Sequence, residues 1–148
     1  MNASLADALA FALEVGAIDV QDVRNLADQA IAAAAAVPDN LLDLAWNSNR
    51  AESLSILHAM GEGSNKPEAA QLMLGYLERA LVAKTLGVRD VAKAVARMAS
   101  LAYLPTADAE NAMYFFAEDL ALADLGLAPG IASKAEEDLR TFLRQSAV

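Results

Sequence analysis

The sequence predicts an all-α fold, a compact orthogonal bundle of about seven to eight helices in one domain spanning residues 1–148. Apolar residues recur at intervals of three and four along most of the chain, which is the helical period. Alanine, the strongest helix former, supplies 35 of the 148 residues. No segment alternates apolar and polar residues over a useful length, so we expect no strands.

The stretch ALEVGAIDVQDV, residues 12–23, predicts the turn of a first helical hairpin. Ser4 and Asp7 have capping-box spacing for the helix before it, and Gly16 stands where that helix should end. Asp19 is the expected N-cap of the next helix. The first two helices are therefore predicted to lie on either side of Gly16.

A second stretch, ALVAKTLGVRDV at residues 80–91, repeats the first at an offset of 68. Six of fifteen aligned positions are identical: Leu9 and Leu77, Ala12 and Ala80, Leu13 and Leu81, Val20 and Val88, Asp22 and Asp90, Val23 and Val91. We interpret the match as an internal duplication of a helical hairpin, with pseudo-repeats at about 3–60 and 67–125. The second hairpin is expected to break at Gly87.

The remaining helices are expected at about residues 40–46, 50–60, 106–125 and 133–146. Thr106 follows Pro105 and is the expected N-cap of the third of these helices. Ser133 and Glu136 have capping-box spacing and predict the start of the C-terminal helix.

The chain is acidic, with a net charge of −9. Residues 1–65 carry nine acidic and two basic side chains, a net −7, and residues 66–148 carry eleven and nine, a net −2. Such a surface repels phosphate backbones, so we expect no nucleic-acid partner and predict that a charged partner is basic. The alternative is that the acidity only favours solubility.

Several classes of protein are disfavoured by composition. The longest apolar run, residues 30–37, is much shorter than the ~20 residues of a membrane-spanning helix, so no membrane association is expected. The chain has no cysteine, which excludes disulfides and thiolate metal sites. The beginning of the chain lacks the pattern of a secretion signal, and the expected location is the cytoplasm.

No catalytic set is evident, and we expect no enzymatic activity, no cofactor and no metal. The single histidine, His58, falls near the end of a helix, where a surface or capping role is expected. A di-metal site of the four-helix type requires two Glu-x-x-His pairs, which one histidine cannot supply. The basic stripe of Arg89, Lys93 and Arg97 is expected to pair with acids on the following helix.

The segment NAMYFFAEDLALADLG, residues 111–126, offers the best candidate for a partner-binding surface. One side of its helix is apolar, yet Phe115 and Leu122 fall on the other side, beside Glu118 and Asp119. Burial of both sides inside the bundle is one account of this pattern. The other is that Phe115, Glu118, Asp119 and Leu122 bind a basic partner, since an aromatic beside acids suits such a contact.

The hairpin pattern resembles that of small all-helical bacterial proteins of unknown function. Its features are a helix that ends in glycine, an Ile or Leu two residues later, and an acid near Val at the start of the next helix. The phrase VPDNLLDLAWNSN is similar to immunity-type and other accessory proteins of that group. The resemblance covers about residues 9–60, and no functional residue carries over from it.

The sequence thus predicts a non-enzymatic cytoplasmic protein-interaction module. Because the chain is acidic, its protein partner is expected to be basic. We also expect self-association as a homodimer, because few charges remain to cover the apolar surface. Two alternatives stay open. One is an immunity-type inhibitor of a basic toxin, and the other is an enzyme that binds a small ligand or metal through carboxylates.

Overall fold

The computed structural model describes residues 1–147, which form eight α-helices and no strands. The helices are α1 Ala3–Glu14, α2 Val20–Ala33, α3 Asp39–Trp46, α4 Arg50–Met60, α5 Lys66–Val82, α6 Val88–Ser100, α7 Glu110–Asp124 and α8 Ile131–Ser146. The prediction of an all-α fold with seven or eight helices is confirmed. Contacts within the chain group these helices into two units, Met1–Asn65 and Lys66–Val148. The single-domain organisation stays a prediction.

The first unit contains α1 to α4. Helix α1 packs on α4, α2 packs on α3, and α3 also contacts α4. Its fully buried side chains include Leu9, Val23, Leu44 and Leu57. Gly61, which ends α4, permits a close approach to α1, since a methyl group there would lie only 3.1 Å from the Cα atom of Asp7.

The second unit contains α5 to α8 and repeats the same pairing. Helix α5 packs on α8, α6 packs on α7, and α7 also contacts α8. Its largest fully buried side chains are Val, Leu and Met residues from all four helices, among them Leu77, Val91, Met98, Met113 and Leu139. In each unit the first helix therefore packs on the fourth and the second on the third.

The turns of the two helical hairpins have the same backbone hydrogen bonds at an offset of 68. Ala12 O accepts from the N–H groups of Ala17 at 2.9 Å and Ile18 at 3.3 Å, and Ala80 O accepts from Thr85 and Leu86 at the same two distances. The bonds from Ala17 and Thr85, together with those from the Gly16 N–H to Leu13 O at 3.3 Å and from the Lys84 N–H to Leu81 O at 3.2 Å, form Schellman motifs, in which the residue after the helix takes the left-handed conformation.

The predicted break is present, since Gly87 lies between the end of α5 and the start of α6, but Gly87 is not the glycine C-cap that the sequence predicted. The left-handed residue of the second hairpin is Lys84, with φ 60°, which corresponds to Gly16 with φ 81°. Gly87 has φ −79° and is instead the N-cap of α6, where it corresponds to Asp19. The hairpin keeps its geometry although glycine is absent from the left-handed position, because the surrounding hydrogen bonds and packing determine that turn.

The predicted capping box of Ser4 and Asp7 is also wrong, because α1 begins earlier. Asn2 is the N-cap, and its Oδ1 accepts from the Leu5 N–H at 2.8 Å. Ser4 is buried inside the helix, where its hydroxyl accepts from the Asn65 N–H at 3.2 Å. Asp7 accepts from the Ser64 hydroxyl at 2.6 Å, so both side chains hold the loop after α4.

Two further predicted caps are not formed. Helix α7 begins at Glu110 after Ala109, and Thr106 donates to Asp108 in the preceding loop at 2.7 Å. Helix α8 begins at Ile131 after Gly130, two residues before Ser133. By contrast, Asp19 forms a complete capping box with Asp22, as expected for the start of α2.

We predict that Lys84→Gly raises the free energy of unfolding by about 0.5–1 kcal/mol. A left-handed conformation costs a residue with a Cβ about 1–2 kcal/mol, and the greater backbone entropy of unfolded glycine offsets about 0.5–1 kcal/mol of that gain. Urea unfolding followed by circular dichroism measures the change. The matched variant Gly16→Ala, at the corresponding position, should lose stability. Unchanged or lower stability in Lys84→Gly contradicts the assignment.

Candidate functional site

Helix α7 has a buried face that belongs to the core of the second unit. Met113, Phe116 and Leu120 are at most 7% exposed. The ring of Phe116 packs on Phe142 of α8, with ring centroids 5.4 Å apart. Ala109, which precedes α7, is buried as well. The predicted apolar face of α7 thus packs on its neighbours.

The opposite face of α7 carries apolar side chains that are open to solvent. Phe115 is 53% exposed, Leu122 40% and Leu125 74%. The spacings i, i+7 and i+10 place them in one row, since a helix turns ~100° per residue. The exposure of Phe115 and Leu122 contradicts the account in which both sides of α7 are buried in the bundle, and it meets the requirement of the partner-binding alternative.

The two acids of the predicted surface lie in the same row or next to it. Glu118 is exposed and Asp119 is half-buried. Within residues 1–147 neither carboxylate has a hydrogen-bond or ion-pair partner. We call the set of Phe115, Glu118, Asp119, Leu122 and Leu125 the α7 surface.

The end of α7 extends this surface by one more leucine. Leu127 donates its N–H to Leu122 O at 3.1 Å, Gly126 donates to Ala123 O at 3.0 Å, and Gly126 has φ 74°. These bonds form a Schellman motif, which brings the chain after the helix back toward its last turn. Leu127 is 53% exposed and adjoins the α7 surface.

An ion pair joins the end of α7 to the beginning of α6. The Arg89 Nε donates to Asp124 Oδ2 at 2.9 Å, and its Nη2 donates to Oδ1. These hydrogen bonds lower the pKa of Asp124, and the positive charges of Arg89 and Lys93 lower it further. The predicted pairing of the basic stripe with acids on the following helix is confirmed for Arg89.

His58 is a surface residue, as expected. Its ring is more than half exposed, and Nε2 lies 2.8 Å from Glu14 Oε1. Within the described part of the chain, no group of three or more His, Asp or Glu side chains is placed to hold a metal ion.

The first unit contains an open groove of about 640 Å³ that the sequence reasoning missed. We call it the α3–α4 groove. Eight residues line it: Asp43, Trp46, Asn47, Ser48, Asn49, Glu52, Ser55 and Ile56. Trp46, the last residue of α3, is 75% exposed. The sequence contains a signal for this exposure. Leu41, Leu44 and Ala45 follow the helical period and form the buried face of α3, whereas the position of Trp46 lies away from that face.

No helix among the described residues is long and apolar enough to cross a membrane. Comparisons with models of protein families, with curated proteins and with solved structures give no significant match to this chain.

We predict that Phe115→Ala and Phe116→Ala have opposite effects on stability. Phe115 is half exposed, so its truncation should cost about 1 kcal/mol or less of unfolding free energy. Phe116 is buried against Phe142, so its truncation should cost about 3–5 kcal/mol through lost burial and a residual cavity. Thermal and urea unfolding of the two variants measure the difference. A large loss in Phe115→Ala would show that this side chain belongs to the core.

We also predict that Asp124→Asn destabilises the protein at neutral pH and not in acid. Because the folded-state pKa of Asp124 is lowered, its charge stabilises the fold above the unfolded-state pKa. That contribution is lost as the pH falls through the folded-state value, below about pH 4. Urea unfolding at neutral and acidic pH should therefore show a difference between variant and parent that shrinks with acid. Added salt should shrink it too, since the pair is exposed. A difference independent of pH contradicts the role of this charge.

Proposed function

We propose that this chain is a non-enzymatic protein-interaction module of the cytoplasm that binds a basic protein through the α7 surface. The observation that carries the proposal is the row of exposed Phe115, Leu122 and Leu125 beside Glu118 and Asp119, two acids that have no partner among residues 1–147. Monomeric proteins expose single apolar residues routinely, but a contiguous row of large ones is typical of interaction sites.

The chemistry of the α7 surface favours an amphipathic basic helix as the bound element. A partner helix can lay apolar side chains against the row of Phe115, Leu122 and Leu125, because both rows follow the helical period. Lysine or arginine on its flanks would meet Glu118 and Asp119. Arg89 is already bound to Asp124, and among residues 1–147 no cation forms an ion pair with Glu118 or Asp119.

Two features support the non-enzymatic part of the proposal. The only histidine of the chain, His58, is bound to Glu14 on the surface of the first unit. The carboxylates of the α7 surface lie on an open helix face among apolar side chains, whereas acid–base catalysis generally requires groups that converge in a pocket.

We propose separately that the chain forms the predicted homodimer, through residues outside the α7 surface. A symmetric contact through the α7 surface would place Glu118 and Asp119 of two copies near each other, which is unfavourable. An immunity-type inhibitor is a special case of the main proposal, in which the basic partner is a toxin. The net −7 of residues 1–65 favours such a partner.

We infer that the two units arose by duplication. Both have the same helix pairing, and their hairpin turns have the same hydrogen bonds at an offset of 68. In each unit an arginine of the second helix also binds near the end of the third helix, Arg24 to Ala45 O and Arg89 to Asp124.

The binding proposal predicts that Phe115→Ala weakens a basic partner about fivefold to thirtyfold, equivalent to about 1–2 kcal/mol, without lowering the melting temperature appreciably. The partner is captured from the native host with the immobilised chain, identified, purified and titrated by calorimetry. Glu118→Gln should weaken binding less and reduce its salt dependence.

The matched control is Asp28→Asn, an exposed acid on α2 outside the α7 surface, which should bind like the parent. Equal affinity of Phe115→Ala and parent would reject the α7 surface as the binding site. Sedimentation of the chain alone at tens of micromolar tests the homodimer, which a monomer would contradict. A toxin gene beside the gene for this chain would favour the immunity-type case.

A further inference from the structure

The α3–α4 groove combines an exposed indole with carboxylates. Trp46 and Asp43 come from the last turn of α3, and Glu52 comes from the first turn of α4. The Glu52 Oε2 accepts from Asn47 Nδ2 at 2.5 Å, which holds this carboxylate beside the loop that lines the groove. Within residues 1–147, Asp43 has no hydrogen-bond or ion-pair partner.

The helix ends at the α3–α4 groove favour a cation over an anion. The carboxyl end of α3 carries the negative end of its dipole. The amino end of α4, which would attract an anion, is already capped, because Asn49 Oδ1 accepts from the Glu52 N–H at 3.1 Å. Glu52 adds a negative charge in that same turn.

No cation of the first unit occupies the groove. Residues 1–65 contain only two basic side chains, Arg24 and Arg50. Arg24 donates to Ala45 O at 3.0 Å, and Arg50 donates to Leu13 O and Glu14 O. Neither arginine is among the residues that line the groove.

We propose that the α3–α4 groove binds an organic cation, an ammonium or guanidinium group carried on an alkyl chain. The cation would lie over the face of Trp46, where the ring quadrupole attracts positive charge, and would pair with Asp43 and Glu52. The alkyl chain would pack along the indole and Ile56. Both a free diamine and an arginine side chain of a peptide have this chemistry. The inference does not rest on the α7 surface.

Trp46 is the only tryptophan of the chain, so intrinsic fluorescence reports directly on the groove. The first arm titrates the full chain with agmatine, a free alkyl guanidine. The second arm uses an acetylated and amidated tri-arginine peptide, with the corresponding citrulline peptide as the neutral control. We expect a saturable change with the cationic probes and none with citrulline. Tighter binding of agmatine identifies a small-molecule site, and tighter binding of the peptide identifies a side-chain site.

Two double variants distinguish specific binding in the α3–α4 groove from general electrostatic attraction of cations to an acidic chain. Asp43→Asn combined with Glu52→Gln should weaken the cationic probes at least about tenfold, since both charges that pair with the cation are lost. The control combines Asp28→Asn with Asp39→Asn. It removes the same charge from exposed positions that do not line the groove, and it should bind like the parent. Circular dichroism of all variants confirms that they fold.

A second measurement tests the local charge without any ligand. Relative to the quenching of free N-acetyltryptophanamide, caesium should retain more of its quenching of Trp46 than iodide does, and the double variant of Asp43 and Glu52 should reduce that difference. The proposal is overturned if no cationic probe gives a saturable change, if citrulline binds equally well, if the control double variant loses as much affinity, or if caesium loses as much quenching as iodide does relative to the free indole. Phe115→Ala should leave all these results unchanged, so failure here is distinguishable from failure of the α7 surface.

Discussion

The fold depends on how the carboxyl ends of its short helices are satisfied. Each helix leaves about four carbonyl groups without a partner inside the helix. Three cations bind such carbonyls here: Arg24 at the end of α3, Arg50 at the end of α1 and Lys66 just after α6. These contacts hold helix ends in place. Because these three cations bind main-chain carbonyl groups, fewer cations remain to pair with the 20 acidic side chains of the protein.

The excess of carboxylates has a direct consequence for the surface. Asp43, Glu118 and Asp119 have no partner within the described residues, and each lies beside an exposed aromatic or leucine side chain. An apolar group next to an unpaired acid suits a ligand that carries both an apolar part and a positive charge. The cations that bind helix carbonyl groups are therefore not available to pair with the carboxylates of the two candidate sites.

The candidate sites also occupy corresponding places in the two units. The α3–α4 groove is built at the end of the third helix of its unit, and the α7 surface extends to the end of the third helix of the other. In both places a buried face packs on the second helix, while large apolar side chains near the helix end, Trp46 in one unit and Leu122 and Leu125 in the other, are exposed together with the following loop. The side chains differ, with Trp46 and polar loop residues in one unit and leucines in the other. A duplicated framework would allow such divergence, because exposed loop residues are less constrained by packing than core residues are.

Local sequence was sufficient for the all-α class, for a count of about seven to eight helices and for their order. Helical periodicity placed Phe115 and Leu122 off the apolar face of α7, but whether that second side is buried or exposed depends on the neighbouring helices and was decided by the tertiary structure. The caps were less predictable. Asp19 with Asp22 formed the expected box, but Ser4, Asp7, Thr106 and Ser133 bind other groups or lie inside a helix, since a hydroxyl or carboxylate takes whichever partner the folded chain brings near it.

The sequence by itself determined that the chain is all-α with about seven to eight helices, that its net charge is strongly negative, and that Phe115 and Leu122 lie off the apolar face of α7. Only the tertiary structure decided that Lys84 takes the left-handed position, that Arg24 and Arg50 bind helix carbonyls, and that Trp46 lies in a groove with Asp43 and Glu52. The physical reason is the distance along the sequence over which each property is determined. Helical periodicity and charge are local or additive, whereas a cap, a strained turn or a groove depends on groups that are distant in sequence and meet only when the helices pack.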